Sequence, residues 1–198
     1  MKKKYQIIYA DPPWKYKTTQ HQGAKSGYRN QGYLKYHNEV YQKGAKNQYS
    51  CMGMEELKEL PIESISDNNC LLFLWVCSPL LKQGIEVGES WGFEYKTIAF
   101  VWYKQIHNPG FYTMSECEIV LVFKKGNIPQ PRGLRNIRQF WAENRTKHSQ
   151  KPNEIRNRIT KMFPTQNKIE LFARQKTEGW DVWGNEIESD IDINPPQK

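Results

Sequence analysis

The segment Asp11-Pro12-Pro13-Trp14 combines a carboxylate, two rigid prolines and a large aromatic ring directly after an apolar run. An aromatic amine such as N6 of adenine is a poor nucleophile, because its lone pair is delocalised into the ring. A site that makes this amine attack a methyl sulfonium should accept hydrogen bonds from both N–H groups. The Asp11 carboxylate can accept one and the Pro12 carbonyl the other, while the prolines fix φ and hold both acceptors still.

Trp14 offers a flat face on which a flipped base can stack. The preceding run, Tyr5–Ala10, predicts a buried strand, and a carboxylate that ends such a strand is costly unless it is paired or used. We therefore interpret the tetrapeptide as a catalytic loop. The alternative is an ordinary strand followed by a proline-rich turn.

Length and composition favour a single domain with a polyanionic partner. The chain has 198 residues, which suits one α/β domain and is cramped for two. The formal charge is +8 and the pI is near 9.2. Such a charge favours binding to nucleic acid, with a merely basic, soluble protein as the alternative.

The cysteine and histidine positions predict neither disulfides nor a metal site. The cysteines lack a CxxC pair and are interpreted as thiols in a reducing compartment: Cys51, Cys70, Cys77 and Cys117. The four histidines lack ligand spacing. Neither a membrane-spanning stretch nor a signal-peptide core is evident, so we expect a cytoplasmic protein.

Short apolar runs alternate with segments of helical composition. Strands are predicted at residues 5–10, 71–76, 97–102, 119–123, 168–173 and 180–183, and helices at 53–60, 79–91 and 151–162. This alternation predicts an α/β fold with a mostly parallel, doubly wound sheet.

Two long segments interrupt the alternation, at about 15–50 and 124–150. Connections of this length are usually functional or disordered. The second is basic and aromatic, and we expect Arg132 and Arg135 to contact phosphates while Phe140 and Trp141 stack on bases. A solvated basic loop is the alternative. We expect one domain over residues 1–188 and a flexible tail over 189–198.

Beyond the tetrapeptide, further motifs follow one another in a recognisable order. They are YSCMGMEEL (49–57), LPI (60–62), LFLWV (72–76), WGF (91–93), VWYK (101–104), KKG (124–126), HSQKPNE (148–154) and IELFAR (169–174). In this order they resemble the N6-adenine methyltransferase family that includes the catalytic subunit of the eukaryotic messenger-RNA adenosine methyltransferase and many bacterial and phage relatives. The resemblance covers most of the chain.

The resemblance implies a Rossmann-like methyltransferase fold with permuted motif order, in which the catalytic strand precedes the cofactor strand at 169–174. Asp11 and Arg174 would then both lie at carboxyl ends of strands, a placement consistent with one shared crevice. S-adenosylmethionine is the implied methyl donor. The implied donor site consists of Asp11, Lys125, His148, Ser149, Lys151, Arg174, Lys176, Asn185 and Glu186.

Individual roles within that site follow from the resemblance. Arg174 and Lys176 would flank the ribose or carboxylate of the donor, and Asn185 and Glu186 would hold hydroxyls, since a carboxylate accepts two such donors. Ser149 and free N–H groups at a helix start would bind the methionine carboxylate.

On the substrate side, Trp14, Tyr49 and Trp75 would contact the base. Core packing is the alternative for Tyr49 and Trp75.

The sequence is thus interpreted as an S-adenosylmethionine-dependent N6-adenine methyltransferase acting on nucleic acid, with DNA favoured over RNA because the chain is compact. The alternatives are an RNA enzyme, a catalytically silent nucleic-acid-binding subunit, and an amine methyltransferase for proteins or small molecules. A homodimer, or a heterodimer with a related subunit, is a further expectation.

Overall fold

Seven strands form one sheet in the parts of the chain that the structure, a computed structural model, describes: residues 3–15, 51–109, 112–145 and 150–193. The strands are β1 (Tyr5–Ala10), β2 (Ser66–Val76), β3 (Glu94–Pro109), β4 (Met114–Lys125), β5 (Phe140–Ala142), β6 (Lys168–Leu171) and β7 (Asp181–Trp183). The helices are α1 (Met54–Lys58), α2 (Leu81–Ser90) and α3 (Asn153–Met162), with 3-10 turns at Ile62–Ser64 and Ser78–Leu80.

The strand order is β5-β3-β4-β2-β1-β6-β7. Strand β4 pairs antiparallel with both of its neighbours, β2 and β3, while the other pairings are parallel. The prediction of a mostly parallel α/β sheet is therefore confirmed. We call the side of the sheet at which β1, β2, β6 and β7 end the carboxyl edge, and the opposite side the amino edge.

The position of β1 inside the sheet explains why its sequence is a nearly continuous apolar run. It pairs with β2 on one side and β6 on the other, with Ile8 opposite both Leu72 and Ile169. Layers on both faces of the sheet bury it: Ile8 packs in a cluster with Leu57 of α1, and Ile7 in a cluster with α3. A strand enclosed in this way carries apolar residues on both faces.

Two segments differ from the sequence prediction. Strand β5 lies within the predicted 124–150 loop and pairs with β3. Arg158 of α3 holds it, because its guanidinium lies 4.8 Å from the centre of the Trp141 ring and donates to the carbonyls of Arg138 and Phe140, at 2.7 and 2.9 Å. This support comes from a helix distant in sequence, so the local composition does not reveal it.

The second difference concerns the predicted flexible tail. Asp190 is bonded to Val182 of β7 twice, through its own N–H at 2.9 Å and through its carboxylate at 2.9 Å. Ile193 is only 3% exposed and belongs to the core. Residues 189–193 therefore pack against the domain, whereas residues 194–198 of the predicted tail lie outside the described ranges. No helix among the described residues is long and apolar enough to cross a membrane.

Candidate active site

Polar side chains from several elements meet at the carboxyl edge. Asp11 follows β1, Arg174 lies beyond the end of β6, and Lys151 stands two residues before α3. Parallel strands end at the same edge, so residues distant in sequence come together there. Burial raises the pKa of the Asp11 carboxyl, and the charge of Arg174 is one of the smaller influences that oppose this rise. Asp11 and Arg174 thus lie at the same edge of the sheet, and the shared crevice stays a prediction.

Asp11 forms a two-point ion pair with Lys151. The Lys151 Nζ donates to Oδ1 at 2.8 Å and to Oδ2 at 2.9 Å. The two side chains are only 23% and 18% exposed, so the pair is largely desolvated. Charge-assisted hydrogen bonds of this length are among the stronger polar contacts in proteins. The carboxylate is therefore paired, as its position at the end of a buried strand requires.

The surroundings shift the pKa of both partners. Burial raises the pKa of the Asp11 carboxyl, and the Lys151 ammonium opposes that shift. Burial also disfavours the charged form of Lys151, but the carboxylates of Asp11 and Glu118 outweigh this and raise its pKa overall. Lys151 is consequently a cation at neutral pH, and its charge is the main influence that favours the ionised form of Asp11 against burial.

The ion pair continues into a row of four alternating charges, which we call the charge row: Asp11, Lys151, Glu118 and Lys104. The Lys151 Nζ lies 3.5 Å from Oε2 of Glu118 on β4. The Lys104 Nζ, on β3, lies 3.4 Å from Oε1 of the same glutamate. Sequence reasoning missed Glu118 and Lys104. Charged residues inside mostly apolar strands were the available signal, because burial of a charge requires a partner.

Trp14 anchors the loop instead of presenting its ring to a base. Its side chain is 9% exposed and its indole N–H donates to the Trp75 carbonyl at 3.0 Å. The Trp14 backbone N–H donates to the Pro12 carbonyl at 2.8 Å, so that predicted amine acceptor already has one donor. The expected stacking face of Trp14 is therefore largely covered, which corrects the sequence interpretation of this ring.

Met52 in segment 51–53 also forms backbone hydrogen bonds with the loop that follows Asp11. The Met52 N–H donates to the Pro13 carbonyl at 2.9 Å, and the Lys15 N–H donates to the Met52 carbonyl at 3.2 Å. The two proline φ angles and these bonds together fix the direction in which Asp11 leaves β1.

Trp75 lies beneath Lys151 in the core. It is 1% exposed, its indole N–H donates to the Tyr9 hydroxyl at 2.6 Å, and its ring centre lies 5.3 Å from the Lys151 Nζ. Such a cation–π contact supports the ammonium from below. The structure thus favours the packing alternative for Trp75, since almost none of its surface is open to a base.

The carboxyl ends of β6 and β7 carry groups suited to the donor. Arg174 Nε lies 3.7 Å from Glu186 Oε1, and the two side chains are 34% and 40% exposed. Asn185, beside Glu186, is exposed as well. A guanidinium binds carboxylates, and a carboxylate accepts paired ribose hydroxyls, so these residues fit S-adenosylmethionine chemically.

Lys176 and Gly184 complete this side of the edge. Lys176 pairs with Asp190 at 3.3 Å and lies 3.9 Å from Glu188, so its charge is directed toward the end of the domain. A Cβ on Gly184 would stand 2.2 Å from the Ala173 carbonyl oxygen. The absence of a side chain at Gly184 therefore lets the two strand ends lie side by side.

Lys125 lies at the amino edge and not in the crevice. Strand β4 runs antiparallel to β2, so Lys125 at its end pairs with Cys70 near the amino edge. Ile119, near the start of β4, pairs with Val76 at the carboxyl edge. The Lys125 Nζ donates to Glu63 at 3.1 Å and to Ser66 at 3.0 Å. The implied contact between Lys125 and the donor is therefore corrected.

Arg132 and Arg135 also lie away from Asp11. The Gly133 N–H donates to the Met162 carbonyl at 2.9 Å, which places this segment at the carboxyl end of α3, whereas Lys151 precedes its amino end. Arg132 lies 5.3 Å from the Phe163 ring centre and lines a mostly apolar cavity of about 230 Å³. Exposed Arg135 follows it. The segment that returns to the carboxyl edge is β5 instead.

Three implied site residues fall outside the described ranges: Tyr49, His148 and Ser149. Their roles stay predictions.

Sequence comparisons with known proteins cover most of the chain. The MT-A70 family model matches residues 5–186, a range that contains Asp11, Lys151 and Glu186. Type II methyltransferase M.MunI of a Mycoplasma species is 49% identical over 193 residues, which cover 94% of this chain and 79% of that protein.

Eukaryotic proteins match at lower identity. The N(6)-adenosine-methyltransferase catalytic subunit METTL3 of Homo sapiens is 27% identical over 198 residues, which cover 93% of this chain and 28% of that protein. The N(6)-adenosine-methyltransferase MT-A70-like protein of Drosophila melanogaster is 27% identical over 203 residues, covering 97% of this chain and 28% of that protein. The chain thus spans little more than a quarter of these eukaryotic proteins.

Proposed function

The chain belongs to the MT-A70 family, and on that premise we propose that it transfers a methyl group from S-adenosylmethionine to N6 of adenine in nucleic acid. The observation that carries the proposal is the fixed, largely desolvated carboxylate of Asp11 at the carboxyl edge. DNA is favoured over RNA, because identity is 49% to a Type II methyltransferase and 27% to human METTL3, an N(6)-adenosine-methyltransferase.

Asp11 makes the adenine amine a better nucleophile. A carboxylate that accepts an N–H pushes electron density toward nitrogen, and hydrogen bonds to charged groups contribute about 1.5–3 kcal/mol. S-adenosylmethionine, when bound, would supply an electrophilic methyl group, and the electron pair of the broken C–S bond would stay on sulfur while the adenine nitrogen forms the new N–C bond. The methylated amine is then a cation and loses its proton to water. Asp11 stabilises that developing positive charge in a desolvated site.

On the donor side we assign Arg174, Asn185 and Glu186. The Arg174 guanidinium attracts a carboxylate, and the Glu186 carboxylate accepts hydroxyl donors. Lys151, which the sequence resemblance assigned to the donor, is placed here as the direct partner of Asp11.

On the nucleic-acid side, β5 offers a better candidate than Arg132. Phe140 is 57% exposed and stacks on Tyr103 with ring centres 6.3 Å apart and planes at 26°. Exposed Arg138 precedes it. An exposed aromatic ring beside a cation is the combination that binds single-stranded nucleic acid by stacking and phosphate attraction.

We also propose a cytoplasmic location, because the four free cysteines fit a reducing compartment. Assembly as a homodimer, or with a related subunit, stays a prediction.

Incubation with labelled S-adenosylmethionine and separate pools of unmethylated duplex DNA, single-stranded DNA and RNA tests the function. Nucleosides from each pool are then identified by mass spectrometry. We expect N6-methyladenine in a DNA pool. Label in RNA alone would support the RNA alternative, and label in no nucleic acid would contradict the proposal.

A further inference from the structure

The charge row contains more charged groups than amine binding alone requires. The proposed chemistry uses the Asp11 carboxylate, yet Lys151 donates to both of its oxygens, at 2.8 and 2.9 Å. An ammonium has three donors and no acceptor. A carboxylate has about four acceptor positions on its two oxygens, so in this geometry the adenine amine must approach an oxygen that the Lys151 ammonium already engages.

Glu118 offers the ammonium a second position. Its Oε2 lies 3.5 Å from the Lys151 Nζ, and a shift of about 0.7 Å would bring this pair to the usual charge-assisted distance of about 2.8 Å. Movement into water would instead leave Asp11 without its cation. A short shift toward Glu118 keeps the ammonium paired and close to Asp11.

Two neighbours prepare Glu118 and Lys151 for such a shift. Lys104, whose side chain is 8% exposed, lies 3.4 Å from the other Glu118 oxygen and forms an ion pair with that carboxylate. The Trp75 ring, 5.3 Å from the Lys151 Nζ, provides a surface over which a cation is stabilised. The row contains two carboxylates and two ammonium groups, so its net charge is zero. Movement of Lys151 within the row leaves that net charge unchanged.

We propose that Lys151 is a shared ammonium that moves from Asp11 toward Glu118 when the adenine amine binds, and that Glu118 is the positioning residue that allows this move. In the first position Lys151 opposes the effect of burial on Asp11 and favours its ionised form. In the second it frees a carboxylate oxygen for the amine while remaining near enough to stabilise the charge. This inference rests on the proposed adenine-N6 activity and adds a positioning step to it.

The matched pair Glu118→Gln and Glu116→Gln tests the role of Glu118. Both positions are on β4, but Glu116 pairs with the exposed His107 at 2.6 Å, outside the charge row. An amide cannot attract the ammonium by charge, so in Glu118→Gln the cation stays on Asp11 and competes with the amine. We expect its KM for the nucleic-acid substrate to rise about tenfold, a cost of about 1.4 kcal/mol. Donor affinity should stay unchanged, and Glu116→Gln should match the unsubstituted protein.

Glu118→Asp separates charge from folding. It keeps a carboxylate with a shorter reach, so we expect a KM between those of the unsubstituted protein and Glu118→Gln. Thermal unfolding of each variant identifies any that does not fold. If Glu118→Gln does not fold, the KM of Glu118→Asp is compared with that of Glu116→Gln instead.

Lys151→Met completes a double-mutant cycle. Without an ammonium there is nothing to relocate, so Glu118→Gln should add no more than about a twofold loss in that background. Lys151→Met should also move the acidic limb of the pH–rate profile to higher pH, because burial then raises the pKa of Asp11 against only the smaller opposing influence of Arg174. The other titratable or charged groups that act on this cluster are Tyr9, Cys77, Lys104, Glu118, Glu170 and Arg174.

Equal losses from Glu118→Gln in both backgrounds, without a shift in the pH–rate profile, would show that the charge row only supports the fold. A KM for Glu118→Gln equal to that of Glu116→Gln would overturn the shared ammonium while leaving the methyltransferase activity intact. Failure of the unsubstituted protein to methylate adenine in any pool would instead refute the proposed function on which this inference rests.

Discussion

Replacement of Trp14 by Phe separates the anchoring role seen in the structure from the stacking role predicted from the sequence. Phe keeps an aromatic face but loses the indole N–H that donates to the Trp75 carbonyl at 3.0 Å. A buried hydrogen-bonding group left without its partner costs about 1–3 kcal/mol. For a domain of this size that corresponds to a fall in Tm of roughly 2–12 °C.

The anchoring role also predicts slower methyl transfer. The Trp14 bond fastens the loop that carries Asp11 to the end of β2, and a misplacement of about 1 Å at an active site can cost about 100-fold in rate. We expect the single-turnover rate of Trp14→Phe to fall about 10- to 100-fold, measured at a temperature at which the variant is fully folded.

Trp91→Phe is the matched control. Its indole N–H also donates to a buried backbone carbonyl, that of Leu57, at 2.7 Å, and Trp91 is 1% exposed. This bond joins α1 to the end of α2 and does not touch the Asp11 loop. Trp91→Phe should therefore lose similar stability without losing methyl-transfer rate. If Trp14→Phe keeps both stability and rate, the anchoring role is refuted and stacking is supported.

Three further predictions follow from other parts of the site. Gly184→Ala should weaken donor binding measured by calorimetry, because its Cβ would lie 2.2 Å from the Ala173 carbonyl oxygen; unchanged affinity would show that the strand ends adapt freely. Phe140→Ala should weaken binding of single-stranded DNA by about 1–3 kcal/mol in fluorescence anisotropy, whereas Phe140→Tyr should retain it; equal affinities would remove β5 from the nucleic-acid surface. Burial raises the pKa of the Cys77 thiol to about 11, so the rate of its alkylation by iodoacetamide should rise about tenfold per pH unit between pH 8 and 10. Exposed Cys51 should react readily at pH 8 and serves as the comparison. A Cys77 alkylation rate that levels off below pH 9 would contradict this prediction.

The central strand and its loop were predictable because their signals are local. An apolar run on a strand enclosed by two layers, followed by an acid and two prolines, identifies both β1 and the position of Asp11. The alternation of strands and helices likewise predicts a mostly parallel sheet. Each of these inferences needs only residues that are neighbours in sequence.

The partners of Asp11 were harder to predict, because they depend on pairings between distant segments. Lys151 lies 140 residues away, and nothing local distinguishes it from other lysines as the one that contacts Asp11. The direction of β4 is also not encoded in its apolar run. A parallel β4 would bring Lys125 to the carboxyl edge, whereas the antiparallel strand brings Glu118 there. The burial of Trp14 likewise depends on a contact distant in sequence, because its indole N–H donates to the Trp75 carbonyl in β2.

Asp11→Asn tests the central claim most directly, by single-turnover methyl transfer together with calorimetric donor binding. The substitution preserves size but removes the charge that the amine and Lys151 both use. We expect the transfer rate to fall by about 10- to 150-fold, as loss of a charge-assisted hydrogen bond of about 1.5–3 kcal/mol implies, with donor affinity nearly unchanged. A normal rate, or a loss confined to donor affinity, would contradict the role of Asp11 as the acceptor for the adenine amine.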